Sequence, residues 1–317
     1  MLDQNQPEPL IAKYSFENWE NVRQVPDLCI SIKGGLSLAF GASIGIIKWL
    51  EEQKITPGLI IASSSATIPF TLYSLGYSWK EILESVADFK LHNLFSHSAI
   101  FSHQSLISPE HYYWYLLRHI PNLTLIDAES IFRQAFAQYY SKDIPFLNTP
   151  TNLEEIQKRI GFKLRANLRF QLTDMKKRKK RIFKPETVHD FVAGMVASSS
   201  FPLIAPAINI GPEYFTDGDL ISGYGVEEAK ECDANYVIGV SCKTSDEEGW
   251  VLPIMRNIKL GQVDVPKRIA QPNERISVKM PKGASVFSFE RKQLELLVTN
   301  AFDAISSSLF AGGYGEM

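Results

Sequence analysis

A serine set between a short apolar strand and a helix can serve as a nucleophile, and Ser64 occupies such a place. Leu59-Ile60-Ile61 reads as a short buried strand that runs into Ala62-Ser63-Ser64-Ser65-Ala66, and a helix follows to Gly76. In a strand–turn–helix of this kind the turn strains the serine backbone and lifts Oγ to the carboxyl edge of the sheet. The N-terminus of the following helix then favours a developing negative charge. The residues two before and two after the serine must be small. Here they are Ala62 and Ala66, and alanine lacks glycine's freedom at positive φ. A plainer reading of the segment is a serine that only caps a helix.

Two other segments carry chemistry. Gly34-Gly35 follows an apolar run and precedes a helix, a setting in which backbone N–H groups can face an oxyanion or a phosphate. There is no G-x-G-x-x-G and no P-loop lysine spacing, so a nucleotide site is not expected. A tight strand–helix turn would also explain the two glycines. Asp217, in Tyr214-Phe215-Thr216-Asp217-Gly218-Asp219, has the position of a carboxylate at a strand end. Desolvated there, it could act as a general base; an Asx-turn needs no chemistry at all. Asp219 adds a second carboxylate, which makes ionising the pair harder.

These residues need elements to hold them. Leu28–Ile32 reads as a strand, Ala42–Glu52 as an amphipathic helix and Pro57-Gly58 as its end, before the serine segment begins. The order strand, turn, helix, strand, turn, helix implies a mainly parallel sheet with helices on both faces. Ile55–Trp79 carries no charge, but its prolines, glycines and serines favour a buried strand, turn and helix over a membrane span. Pro69 is expected to bend that helix. Strands are expected at Leu164–Thr173, Arg181–Phe183, Tyr236–Cys242 and Ile276–Met280, and helices at Thr187–Ser198, Val226–Lys230 and Arg291–Leu309. Residues 1–26 read as an N-terminal arm. Residues 27–317 read as one domain with a helical insertion at about 78–160, since no Pro/Gly/Ser linker divides the chain.

Composition excludes several classes. Of 317 residues, 45% are hydrophobic and 21% charged, which argues against a mostly disordered chain and a multi-span membrane protein. The net charge of −2 does not suit an electrostatic nucleic-acid binder. Cys29, Cys232 and Cys242 show neither a disulfide framework nor metal-ligand spacing. No metal or cofactor is expected. The first residues have no basic segment followed by an apolar core, so a cytoplasmic location with peripheral contact to membranes is expected. Lys176, Lys177, Arg178, Lys179, Lys180 and Arg181 form a basic turn. It could rest in solvent or touch anionic lipid, where each basic residue contributes about 1 kcal/mol. Tyr112–Tyr115 could lie at a membrane interface or pack in a helix core.

Taken in order, the segments resemble the patatin-like phospholipase family. Lys33–Glu52 resembles its glycine-rich loop and helix, and Pro57–Gly76 its strand, G-x-S-x-G elbow and helix. Ala197–Cys242 resembles the stretch from A-S-x-x-[FI]-P through D-G-[GA], and Phe287–Leu309 the closing helix. The resemblance implies a three-layer α/β/α fold and a Ser–Asp pair without histidine, so His92, His97, His103, His111, His119 and His189 need no catalytic role. It implies Ser64 as nucleophile, Asp217 as base, and Gly34 and Gly35, with Ser65 beside them, as the oxyanion and binding region. The implied substrate is a lipid or fatty-acyl ester. The departures at Ala62, Ala66 and Asp219 leave open a weak or inactive relative that binds lipid or a protein partner, and acyl transfer would use the same pair.

Overall fold

Alternation along the first strand decides the layers. β1 (Arg23–Ile32) is flanked by β2 (Ile55–Ser63) and β7 (Tyr236–Lys243), parallel on both sides. Leu28, Ile30, Ile32, Ile60 and Ala62 face the main core. Cys29, Leu59 and Ile61 face a smaller cluster with Tyr224, Val226 and Ala229. Both faces are therefore buried, as a parallel sheet requires. The computed structural model describes residues 22–87, 164, 166–201, 205, 207–221, 223–243, 270–281, 284 and 288–308. Most of the expected insertion lies outside these residues. So do most of the N-terminal arm, Tyr112–Tyr115 and all six histidine side chains.

The remaining elements are α1 (Ser37–Glu52), α2 (Thr67–Ser74), α3 (Trp79–Ala87), β3 (Leu168–Asp174), β4 (Lys179–Phe183) and α4 (Val188–Ser198). They continue with β5 (Ile208–Ile210), β6 (Glu213–Asp217), α5 (Val226–Lys230), β8 (Glu274–Lys279) and α6 (Arg291–Ser306). The sheet runs β5-β6-β3-β2-β1-β7-β8, and β4 adds to β3. Strands β1, β2, β3, β7 and β8 are mutually parallel, while β4 and β6 run antiparallel to β3. Residues of α1, α2, α4 and α6 line the main core and α5 lies on the opposite face. This is a three-layer α/β/α arrangement.

The pairing along β3 positions the site. β4 takes one edge of β3 over Phe170–Asp174. A strand has only two edges, so β2 and β6 must share the other. β2 occupies it up to the pair Ser63–Gln171, and β6 occupies it from the pair Asp217–Leu172 onward. The two strands thus meet end to end from opposite directions. The chain leaving β2 at Ser63 arrives beside Asp217.

Several element boundaries differ from the expected ones, and some of the differences have a clear cause. β1 starts at Arg23 instead of Leu28, and β2 at Ile55 instead of Leu59, because the chain stays extended through Pro26 and Pro57-Gly58. A register shift between Val25 and Cys29 absorbs the irregularity. Pro57-Gly58 therefore lies inside β2. Pro69 falls in the first turn of α2, where a missing N–H breaks no bond within that helix.

Candidate active site

Ser64 sits at φ +52°, one of the few non-glycine residues in the left-handed region. Such a backbone costs about 1–3 kcal/mol and persists only where its surroundings impose it. Those surroundings are on both sides of its peptide units. The Ser64 N–H donates to Ser198 Oγ at 3.0 Å, and Ser198 Oγ donates to the Gln171 carbonyl at 2.7 Å. The Ser64 carbonyl accepts from Thr67 Oγ1 at 2.6 Å and from Ser199 Oγ at 3.1 Å. Ala66 has ordinary helical angles, φ −68° and ψ −20°, and Ala62 lies in a regular strand. Neither needs glycine's freedom, because the strain rests on Ser64 itself.

The Ser64 hydroxyl donates to Asp217 Oδ2 at 2.6 Å. The other oxygen, Oδ1, accepts from the Asp219 N–H at 2.8 Å. The Asx-turn and the contact with the serine therefore coexist, one on each carboxylate oxygen. Asp217 is 1% exposed. Its backbone is tied at both ends. Its N–H donates to the Ser200 carbonyl at 3.0 Å, and its carbonyl accepts from Thr173 Oγ1 at 2.8 Å. Gly218 must be glycine, since a Cβ there would collide with the Gln171 carbonyl; Gln171 Nε2 in turn donates to the Gly218 carbonyl at 2.8 Å.

Burial holds the Asp217 carboxyl well above its ordinary value of 3.8, and the Asp219 charge adds to the effect. Hydrogen bonds from the Ser64 hydroxyl and the Asp219 amide partly oppose it. Burial also raises Asp219, against the Ser63 hydroxyl, the Lys33 charge and the Gly34 amide. Lys33 is depressed by burial, despite Asp219. Its ammonium lies 4.5 Å from the Tyr224 ring centre, a cation–π contact.

Gly34 presses directly on the serine. A Cβ on Gly34 would overlap Ser64 Cβ and stand 2.9 Å from Ser64 Oγ. Gly35 sits farther back, and its carbonyl accepts from the Leu38 N–H at 3.1 Å. Ser65 is committed to the same loop: its hydroxyl donates to the Leu36 carbonyl at 2.7 Å. Leu36 carries φ +53° and ψ −132°, strained values for a branched residue.

The basic residues from Lys176 to Arg181 stand apart from this cluster, on the β3–β4 hairpin. The Asp174 carboxylate accepts from the Lys176 and Lys177 N–H groups at 3.0 and 2.8 Å. Lys177 also contacts Glu213, and Lys180 pairs with Glu228 at 3.2 Å. Lys176, Arg178, Lys179 and Arg181 are exposed. Among the described residues, no group of three or more His, Cys, Asp or Glu is arranged to hold a metal ion.

Sequence reasoning missed Ser198, Ser199, Gln171, Thr173 and Lys33. Ser198 and Ser199 reach Ser64 across 134 and 135 positions, which no local pattern shows. If Ser64 is strained, Ser64→Gly should be more stable than Ser64→Ala by about 1 kcal/mol. Both variants lose the hydroxyl, so the difference in thermal unfolding sets relief of the positive φ against the loss of Cβ and the glycine's extra unfolded-state freedom; a Ser64→Gly clearly less stable than Ser64→Ala would argue against the strain.

A family model described as patatin-like phospholipase matches residues 30–230. No curated protein matches the chain. Among solved structures, VipD from Legionella pneumophila is 14% identical, with 90% of this chain and 66% of that one covered and a TM-score of 0.49. The type III effector protein ExoU is 14% identical, with coverages of 89% and 52% and a TM-score of 0.38. In the heterodimeric complex of ExoU with SpcU from the type III secretion system of Pseudomonas aeruginosa, the figures are 14%, 90%, 54% and 0.34. The chain thus spans just under two thirds of the VipD chain and about half of the ExoU chain. The family match takes in the end of β1, the glycine pair, the serine turn, the Asp217 strand end and α5 in one run, more than half of the sequence, and the chain belongs to the patatin-like phospholipase family.

Proposed function

We propose that the protein is a lipid acyl hydrolase, with Ser64 as nucleophile and Asp217 as base. The 2.6 Å hydrogen bond from the Ser64 hydroxyl to Asp217 Oδ2 carries this reading. The hydroxyl proton already points at its acceptor, and the strained turn holds Oγ in place. A patatin-like phospholipase chain supports a fatty-acyl ester as substrate.

In the first step Oγ attacks the ester carbonyl carbon and Asp217 takes the hydroxyl proton. The carbonyl oxygen becomes an oxyanion, to be met by amides near Gly34 and Ser65. The tetrahedral intermediate collapses, the C–O bond to the alcohol breaks, and the alcohol leaves with the proton from Asp217. Water then attacks the acyl-Ser64 ester and gives its proton to Asp217. Collapse releases the fatty acid, and the proton returns to Ser64 Oγ.

The base must be ionised to work, and burial raises its pKa. Activity should therefore rise with pH through a limb lying above the ordinary carboxylate value of 3.8. A raised folded-state pKa has the opposite effect on stability. The native state prefers the protonated acid, so stability is greatest below the unfolded value and is lost as pH rises through the folded one. Asp217→Asn should cut ester hydrolysis by about 10²–10⁴. Its stability relative to wild type should improve as pH rises over the same window. A large loss of melting temperature at neutral pH would instead make Asp217 a structural residue.

The direct test is labelling with a fluorophosphonate probe, located by peptide mapping. An adduct on Ser64 that is absent from Ser64→Ala supports the nucleophile. No adduct on Ser64 with anionic liposomes present, either in wild type or in a variant lacking the neighbouring Asp219 carboxylate, would overturn it.

We also propose peripheral membrane contact by the β3–β4 hairpin, in a protein located in the cytoplasm. Its exposed Lys176, Arg178, Lys179 and Arg181 would meet anionic headgroups. Liposome binding should then require anionic lipid and weaken with salt; binding indifferent to both would sink the idea.

A further inference from the structure

The space beside Gly34 is small and holds two groups. Where a side chain would begin on Gly34, Ser64 Cβ and Oγ lie to one side and Asp219 Oδ2 lies against the same point. An oxyanion born on attack by Ser64 must sit about 3 Å from its N–H donors. A carboxylate oxygen already stands at the approach to the Gly34 amide.

Asp219 is brought there by its own backbone. Its N–H is bound to Asp217 Oδ1 at 2.8 Å in the tight turn after β6, so its side chain starts one short turn from the base. What surrounds the carboxyl would suit an oxyanion: the Ser63 hydroxyl, the Lys33 ammonium and the Gly34 amide all favour its charged form. The residue as a whole is partly exposed, unlike Asp217, while its carboxyl is desolvated, so leaving Gly34 means rotating that carboxyl out toward solvent. Lys33, whose ammonium lies over the Tyr224 ring, is a counter-charge to Asp219.

We infer that Asp219 is an internal competitor for the acyl oxyanion, so that this conformation is self-inhibited and turnover requires its carboxylate to leave Gly34. The inference rests on the reading of Ser64 as nucleophile. It turns the second carboxylate from a mere electrostatic burden on Asp217 into a gate on substrate entry.

The fluorophosphonate reaction tests both ideas, because the phosphonyl oxygen needs the same pocket as the oxyanion. The second-order rate of Ser64 labelling is compared in wild type, Asp219→Ala and Asp219→Asn. Rates are taken on the high-pH plateau, so that easier ionisation of Asp217 does not contribute. Asp219→Ala should label at least about tenfold faster than wild type, since a single oxyanion donor is worth about 10²–10³. Asp219→Asn, of equal size without the charge, should fall between. A Ser64 adduct that forms no faster in Asp219→Ala overturns the gate and leaves the nucleophile standing. No adduct in any of the three proteins removes the nucleophile and the gate together. Should Asp219→Ala lose its thermal transition, Asp219→Asn decides alone: faster than wild type supports the gate, and equal or slower overturns it.

Discussion

One edge of β3 carries two strands, and the junction between them sets the distance from Ser64 to Asp217. β2 ends opposite Gln171 and β6 ends opposite Leu172. Hydrogen bonding along β3 fixes both ends in register, and a one-residue slip would turn the strand faces over. The nucleophile candidate and the base candidate come from positions 153 apart in sequence. They meet because they extend one ladder from its two sides. The helices hold this ladder in place. α1 carries the Gly34-Gly35 loop, and α6 buries Leu294, Leu297, Val298, Ala301 and Ile305 in the main core that α1 also lines.

The site concentrates unfavourable terms that the fold then absorbs. Ser64 holds a backbone conformation that L-residues avoid, Leu36 does the same in the facing loop, and two carboxyls share a desolvated space. Each is offset locally. Both polar groups of the Ser64 backbone are bonded, Asp217 has partners on both oxygens, and Lys33 faces Asp219 across the loop. Strain and buried charge of this kind cluster where chemistry is done.

Much of this was legible in the sequence. The apolar runs at Leu28–Ile32 and Leu59–Ile61 are strands because each alternates between two buried faces. Ser64 and Asp217 stood out because residue type coincided with a strand end. The Thr187–Ser198 helix was expected, and the structure adds its cap: Thr187 Oγ1 accepts from the Asp190 N–H and the Asp190 carboxylate accepts from the Thr187 N–H. Other features were hidden for physical reasons. Proline and glycine at 57 and 58 signal a break, yet the neighbouring strand holds them extended. The strained serine was expected from the strand–turn–helix order, and Ser64 does take the positive φ; what the sequence did not show is that the alanines beside it keep ordinary angles. Ser198 and Gln171 could not be assigned because their bonds depend on long-range register.

The last residue of α4 and the two that follow it have a consequence of their own. Ser198 receives the Ser64 N–H, Ser199 donates to the Ser64 carbonyl, and the Ser200 carbonyl takes both the Asp217 N–H and the Thr216 hydroxyl. Three consecutive residues therefore grip the elbow with one hand and the strand end with the other. They act as a gauge block between two parts of the sheet that share no covalent connection nearby. A tilt of α4 would carry the elbow and the strand end together, so the helix could shift against the sheet without opening the gap between serine and aspartate.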